Sequence, residues 1–213
     1  MKAFQLSLIT VIACSIVVAE EASGPLSPAE SLRRLEPAGG LEISLFAHEP
    51  MVVNPTNIDI DERGRVWVAE GVDYRRHADL RPEGDRIVIL EDTNGDGTAD
   101  RLKTYYQDPS IKSPLGIGVF GRRVVVSCSP HVFLFIDEDG DDIPDEKRVL
   151  FSGIEGVQHD HGVHAFVFQP DGKLYFNFGN NGNRLLDGSG SPVVDAAGNV
   201  GSGGGTPYRQ GMI

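Results

Sequence analysis

An acidic loop that occurs twice constrains this chain more than any other feature. The first copy reads Asp92-Thr93-Asn94-Gly95-Asp96-Gly97-Thr98-Ala99-Asp100, the second Asp137-Glu138-Asp139-Gly140-Asp141-Asp142-Ile143-Pro144-Asp145. Each follows an apolar run, Arg86-Ile87-Val88-Ile89-Leu90 or His131-Val132-Phe133-Leu134-Phe135-Ile136. The copies begin about 45 residues apart, which is the length of one propeller blade. One motif therefore predicts both a repeat architecture and a ligand set for a hard cation.

Positions 1, 3, 5 and 9 carry oxygen side chains in both loops: Asp92, Asn94, Asp96 and Asp100, then Asp137, Asp139, Asp141 and Asp145. At position 7 the backbone carbonyl of Thr98 or Ile143 is available. Ca²⁺ accepts about six to eight oxygens at flexible angles, so this set suits it. An EF-hand would place a bidentate Glu at position 12, where Lys103 and Arg148 stand. The loops are thus shorter acidic turns, expected to staple a hairpin with calcium and not to catalyse; a solvated acidic turn is the alternative. Gly97 at position 6, against Asp142 in the second copy, makes the first loop the better candidate, although Asp also tolerates the left-handed conformation.

Around these loops the pattern is β. Ile58-Asp59-Ile60 turns through Asp61-Glu62-Arg63-Gly64 into Val66-Trp67-Val68, and Phe166-Val167-Phe168 turns through Gln169-Pro170-Asp171-Gly172 into Leu174-Tyr175-Phe176. Between them Ile117-Gly118-Val119 turns at Phe120-Gly121 into Val124-Val125-Val126. The order is hairpin, acidic hairpin, hairpin, acidic hairpin, hairpin: two four-stranded units and the start of a third. The fold class predicted is all-β, a β-propeller of which this chain covers about two and a half to three blades. A β-sandwich has similar short strands but no reason to repeat a ligand loop at blade spacing. Leu41 to Ala47 alternates with period two and is predicted as a strand, Asp187 to Gly205 as a long loop, and a further strand is predicted to begin at Tyr208.

Upstream, residues 20–40 form a polar lead-in with a short helix at Ser27-Pro28-Ala29-Glu30-Ser31-Leu32-Arg33-Arg34-Leu35, capped by Ser27 with Glu30 three residues on. The domain reading is residues 1–19 as a signal peptide, 20–40 as the lead-in, and 41–213 as the N-terminal part of an incomplete propeller. Met1-Lys2, the uncharged run Ala3 to Ala19 and the small residues before Glu20 have the form of an export signal. The run could also stay as a single anchor, or Val11-Ile12-Ala13-Cys14 could serve as a lipoprotein box. Each reading puts the protein outside the cytoplasm, in the periplasm or at the cell surface. Cys128, in the strand-like run Val124 to Cys128, then has no partner and is expected to be a buried thiol. The formal net charge of −12 argues against a nucleic-acid partner, since a phosphate backbone needs a basic face.

Three of the six histidines fall within Gln158-His159-Asp160-His161-Gly162-Val163-His164. Imidazole moves protons near neutral pH, and Asp160 offers a carboxylate to His161. Three readings stand: a base or ligand contact, a zinc site without any established ligand spacing, or structural histidines at a blade entrance. Gly179-Asn180-Asn181-Gly182-Asn183-Arg184 follows the next strand, where amides and an Arg can orient a polar ligand.

His161 through Arg184 resembles the central segment of the soluble quinoprotein glucose/sorbosone dehydrogenases, six-bladed propellers that bind pyrroloquinoline quinone and calcium. The resemblance implies that Asp160-His161 is that family's Asp-His pair, with His161 as the base that takes the hydroxyl proton while hydride passes to the quinone. It also sets Gly179-Asn180-Asn181-Gly182 on the family's Gly-Asp-x-Gly, so Asn180, Asn181 and Arg184 become candidate cofactor contacts. Asn180 stands where the family has an acid, and His164 where it tends to have Gly.

The whole mature chain is similar to the N-terminal propeller of the PVC-type membrane-bound dehydrogenases of planctomycetes. Ser27-Pro28-Ala29-Glu30-Ser31-Leu32, Arg65-Val66-Trp67-Val68-Ala69-Glu70 and Arg86 to Asp92 carry that likeness. It implies a sugar or alcohol substrate and a cytochrome c domain downstream, none of which lies in these residues, and an opening piece inactive by itself. The competing expectation is a non-catalytic, calcium-stapled propeller that binds a glycan or a protein.

Overall fold

The structure, a computed structural model, describes residues 24–74, 79–154, 162–178, 184–194, 197–200 and 209–212, with backbone alone for 177–178 and 209–212. The predicted export signal therefore lies outside the described residues. Among those described, no helix is long and apolar enough to cross a membrane. The chain divides into two compact units, Met1–Leu41 and Glu42–Ile213. In the first, α1 (Pro28–Arg33) is capped as its sequence predicts: the Ser27 hydroxyl accepts from the Glu30 amide at 3.3 Å and Pro28 occupies the first turn. Arg34 pairs with Glu30 one turn back at 2.9 Å, and the helix buries no residue.

The second unit is built of antiparallel sheets. β1 (Pro55–Ile60), β2 (Val66–Glu70), β3 (Arg86–Glu91) and β4 (Arg101–Gln107) form a four-stranded meander in chain order. β5 (Gly116–Phe120), β6 (Arg123–Cys128), β7 (His131–Ile136) and β8 (Glu146–Ser152) repeat it. β9 (Val163–Phe168) and β10 (Leu174–Phe178) open a third sheet. Its outer strand is β12 (Arg209–Met212), the strand predicted from Tyr208 onward. The first and third sheets turn identically. Asp61 N donates to Arg65 O and Gly64 N to Asp61 O, as Gln169 N does to Lys173 O and Gly172 N to Gln169 O. Both turns close on a glycine at positive φ, +76° at Gly64 and +79° at Gly172, where a Cβ would be strained.

Successive sheets pack face to face, first strand beside first strand, β1 against β5 and β5 against β9. One face of the first meander, with Trp67, Ala69, Ile87, Ile89 and Tyr105, meets Val124, Val126, Phe133 and Phe135 of the second. The other face of the second, with Val125, Val132 and Leu134, meets Phe166, Leu174 and Phe176 of the third. Residues of alternate parity on one strand thus serve two different cores. Meanders stacked around their first strands are propeller blades. The described unit is an arc of three blades, the third with three strands.

Two details depart from the sequence reading. Leu41 to Ala47 forms no strand. Leu41 and Ile43 are exposed, and Phe46 contributes a carbonyl to the Ala99 amide at 2.8 Å. Alternation alone does not make a strand without a neighbour to complete the ladder. Within the stretch predicted as a long loop, β11 (Leu186–Asp187) pairs with the outer edge of β8, and Asp187 caps the amides of Ser189 and Ser191.

An even-stranded meander sorts its connections by end. The β1–β2 and β5–β6 turns and both acidic loops fall at one rim, called lower here. The β2–β3 loop, the β6–β7 turn, the ends of β8 and β10 and the starts of β5 and β9 fall at the upper rim.

Candidate functional site

Both acidic loops close on their own backbone by one scheme. In the first, Asp92 accepts from the amides of Gly95 and Gly97, each at 2.7 Å, Asn94 from Asp96 and Asp96 from Thr98, while Asp100 accepts from the amide and hydroxyl of Thr93. In the second, Asp137 accepts from Gly140 at 2.7 Å and Asp142 at 2.9 Å, Asp139 from Asp141, Asp141 from Ile143, and Asp145 from Glu138. Asp142 adopts φ 60° where Gly97 has φ 86°, so the turn survives the loss of glycine.

The second loop goes further. Carboxylate oxygens of Asp137, Asp139 and Asp145 all lie within 4.8 Å of one another, with Asp137 buried. Oxygens bound to one Ca²⁺ at about 2.3–2.6 Å can be no more than about 5 Å apart, so this trio fits that ion. Asp141 and the Ile143 position are not part of the trio. The first loop has Asn94 in place of the third-position carboxylate.

Beside the second loop, at the seam between the first two blades, lies a cavity of about 260 Å³. Its lining includes Arg63, Arg65, Trp67, Tyr105, Asp137 and Asp142. Arg65 is buried and donates to Asp61 (2.7 Å) and Asp142 (2.9 Å). Trp67 Nε1 also donates to Asp61, at 2.9 Å. Burial works against charging Asp61, but the bonds from Trp67 and Arg65 outweigh it and carry its carboxyl below the ordinary range. Asp142 behaves likewise: burial raises it, and Arg65, Lys103 and Arg63 pull it below the ordinary value. The Tyr105 hydroxyl is buried with no hydrogen-bond partner among the described residues. Desolvation and the nearby charges of Asp137, Asp142 and Asp145 push its ionisation up.

Three fully buried carboxylates at the upper rim escaped the sequence reading. Glu70 accepts from Arg86 (2.8 Å), Arg81 (2.7 Å) and the Val53 amide (2.9 Å); burial raises its pKa, but these partners hold it below the ordinary range. Asp85 accepts from the amides of Val72 and Ser113 at 2.8 Å each, yet burial lifts it above the ordinary value. Asp73 accepts from the Arg81 amide at 2.8 Å, and its other oxygen has no hydrogen-bond partner among the described residues, with Lys112 Nζ 3.8 Å away. The available signal was charge bracketing an apolar strand, as in Arg65-Val66-Trp67-Val68-Ala69-Glu70. Cys128 is a buried thiol whose ionisation burial pushes up to about 11.

Of the other sequence candidates, Asp160, His161, Asn180 and Asn181 lie outside the described residues. His164 sits half-buried in β9. Arg184 is exposed, and its carbonyl passes so close to Gly153, just beyond β8, that a Cβ there would fall 2.0 Å from it. Arg184 therefore stands at the upper rim.

Residues 27–200 match DUF7133, a domain of unknown function. The chain belongs to this family. No curated protein matches it. Among solved structures, the DUF7133 chain is similar to the holo form of the pyranose dehydrogenase PQQ domain of Coprinopsis cinerea. That match has 18% identity and a TM-score of 0.47, covering 65% of this chain and 34% of that one. It is also similar to the calcium structure of a Trichoderma reesei carbohydrate-active enzyme of family AA12, with 17% identity and a TM-score of 0.47, covering 76% and 43%. This chain thus spans less than half the length of either.

Proposed function

We propose that this DUF7133 chain is the opening part of an exported, quinone-dependent dehydrogenase propeller that oxidises a sugar or an alcohol. The observation that carries the reading is one of placement within the meander. Asp160-His161 immediately precedes β9, a first strand, and Asn180-Asn181 immediately follows β10. The first strands β1, β5 and β9 lie side by side, and Arg184 lies at the rim where β9 begins. The start of β9 and the end of β10, which these two segments adjoin in the sequence, lie at the upper rim with Arg184, while both acidic loops fall at the other. Loops gathered at one end of a rigid β scaffold are where binding and catalysis are usually built.

In this reading His161 accepts the proton of the substrate hydroxyl, and Asp160 orients its imidazole and stabilises the charged form. Pyrroloquinoline quinone, when bound, supplies the hydride acceptor. Asn180, Asn181 and Arg184 hold polar groups of cofactor or substrate. Calcium at Asp92, Asn94, Asp96, Thr98 and Asp100, and at Asp137, Asp139, Asp141, Ile143 and Asp145, staples the lower rim. A downstream cytochrome c domain would take the electrons. The separation of both loops from the start of β9 along the strands also favours a second reading, a calcium-stabilised binding propeller without catalysis.

Dye reduction by the intact gene product, loaded with Ca²⁺ and the quinone and offered a panel of sugars and alcohols, separates the two. The dehydrogenase reading expects turnover that falls at least about 100-fold in His161→Ala, the lower range for a lost general base. No turnover with any substrate, or an unchanged rate in that variant, would overturn it.

A further inference from the structure

The two acidic loops share their internal hydrogen bonds and differ in what surrounds them. In the second, three carboxylates, Asp137, Asp139 and Asp145, converge within 4.8 Å. None of the three forms a salt bridge among the described residues, although Arg63, Arg65, Lys103 and Arg122 are all close by. Those cations are already engaged: Arg65 and Arg63 with Asp142, Lys103 with the Asp141 carbonyl and Arg122 with the Glu138 carbonyl. Three uncompensated like charges this close repel one another unless a cation joins them.

A second observation is independent of the acidic residues. Tyr105, on β4 of the preceding blade, is 3% exposed, and its buried hydroxyl has no hydrogen-bond partner among the described residues. It belongs to the wall of the same cavity as Asp137. A buried hydroxyl is normally satisfied, and a polar cavity of about 260 Å³ has room for several waters. The third link is covalent geometry. Asp137 holds the Asp142 amide with one carboxylate oxygen, and the Asp142 side chain reaches Arg65 and Arg63 of the first blade.

We propose that the second loop is a Ca²⁺-class divalent-cation site built into the seam between the first and second blades, so that loading it tightens that seam through Asp142. Asp137, Asp139 and Asp145 are its carboxylate ligands, and the cavity under Tyr105 holds water between the site and the first blade. The first loop has no counterpart to the latch, because Gly97 replaces Asp142. This deepens the calcium part of the reading above and does not depend on the quinone. Failure of turnover would leave it standing, and its own failure would leave the dehydrogenase reading standing.

The test uses terbium, a luminescent stand-in for Ca²⁺, excited through the indole. The chain has one tryptophan, Trp67, in the wall of that cavity. Saturable, indole-sensitised emission displaced by Ca²⁺ is expected. Asp139→Asn or Asp145→Asn, each removing one ligand charge with little change of shape, should weaken binding at least about tenfold and lower the emission more than Asp96→Asn in the first loop does. Trp67→Phe should abolish the emission and keep the rise in Tm on adding Ca²⁺. Asp142→Gly should keep terbium binding but lose most of that rise. Emission that is absent, that survives Trp67→Phe, or that responds to Asp96→Asn and not to Asp145→Asn overturns the site. An undiminished calcium-induced rise in Asp142→Gly overturns the latch.

Discussion

The seam between the first and second blades and the seam between the second and third solve one packing problem in two ways. At the first, Asn57 and Asp59 of β1 turn toward β5 and accept from its amides, Ile117 N at 3.4 Å and Val119 N at 2.6 Å. The Thr56 hydroxyl reaches the Pro114 carbonyl at 2.6 Å, and below them Asp142 crosses to Arg65. Strand register puts Gly116 and Gly118 of β5 where β1 has Asn57 and Asp59, since they face Ser127 and Val125 as the latter face Ala69 and Trp67. These glycines let β9 approach directly: a Cβ on Gly116 would lie 3.1 Å from Ala165 N, and one on Gly118 2.9 Å from the Phe166 Cβ. Both seams bury an apolar core; at the first, directional polar bonds between the first strands add to it, whereas at the second the first strands meet by shape. They should fail under different insults.

The most damaging change expected at the polar seam is Asp61→Ala. It removes the closest partner of Arg65 and that of the Trp67 indole at once and leaves a buried guanidinium with Asp142 and a more distant Glu91, at 3.8 Å. Breaking a buried, hydrogen-bonded pair from one side costs about 3–5 kcal/mol. Urea unfolding should show a fall in unfolding free energy of that order, and a loss under about 1 kcal/mol would mean that the Asp61 network does not hold the seam. At the shape-driven seam, Gly118→Ala should cost about 1–3 kcal/mol, the price of overpacking. The equivalent Asp59→Ala removes one hydrogen bond across the seam, from the Val119 amide, and one exposed local bond from the Ile60 amide, and should cost about 1 kcal/mol. If the two variants reversed that order, the contrast between the seams would be wrong.

Much of this was visible in the sequence, and what was hidden has a physical reason. The blade repeat was legible because each acidic loop is a local object: its hydrogen bonds span two to seven residues, so spacing and composition carry it. The Asp61–Gly64 and Gln169–Gly172 turns were legible for the same cause. Leu41 to Ala47 misled because period-two alternation reports a preference that only a neighbouring strand can satisfy. The Arg65–Asp142 and Glu70–Arg86 pairs were not legible, since they join residues on different strands or different blades, and nothing local marks their partners. At the candidate site, the residue types could be named, but which loop gathers its carboxylates depends on a cavity that two blades make together.

The smallest effect expected is also the most discriminating, because it depends on pH. Asp142 is destabilised as an anion by burial, but Arg65, with Lys103 and Arg63, more than compensates and holds its pKa below the unfolded value. A carboxyl depressed on folding contributes stability that is present above its unfolded pKa, near 3.9, and is lost as pH falls through the lower folded one. Asp142→Gly removes that contribution and also relieves a non-glycine residue at φ 60°, a strain of roughly 1 kcal/mol. In calcium-free buffer at neutral pH the two terms nearly cancel, and the variant should lie within about 1 kcal/mol of wild type. As the pH drops below about 4, the wild type should lose ground relative to the variant, because only it has a latch to protonate. Gly118→Ala, at the second seam, should run parallel to wild type throughout. A wild-type-minus-Asp142→Gly difference that stays flat from neutral to acid pH would show that the two blades are not joined by that carboxylate.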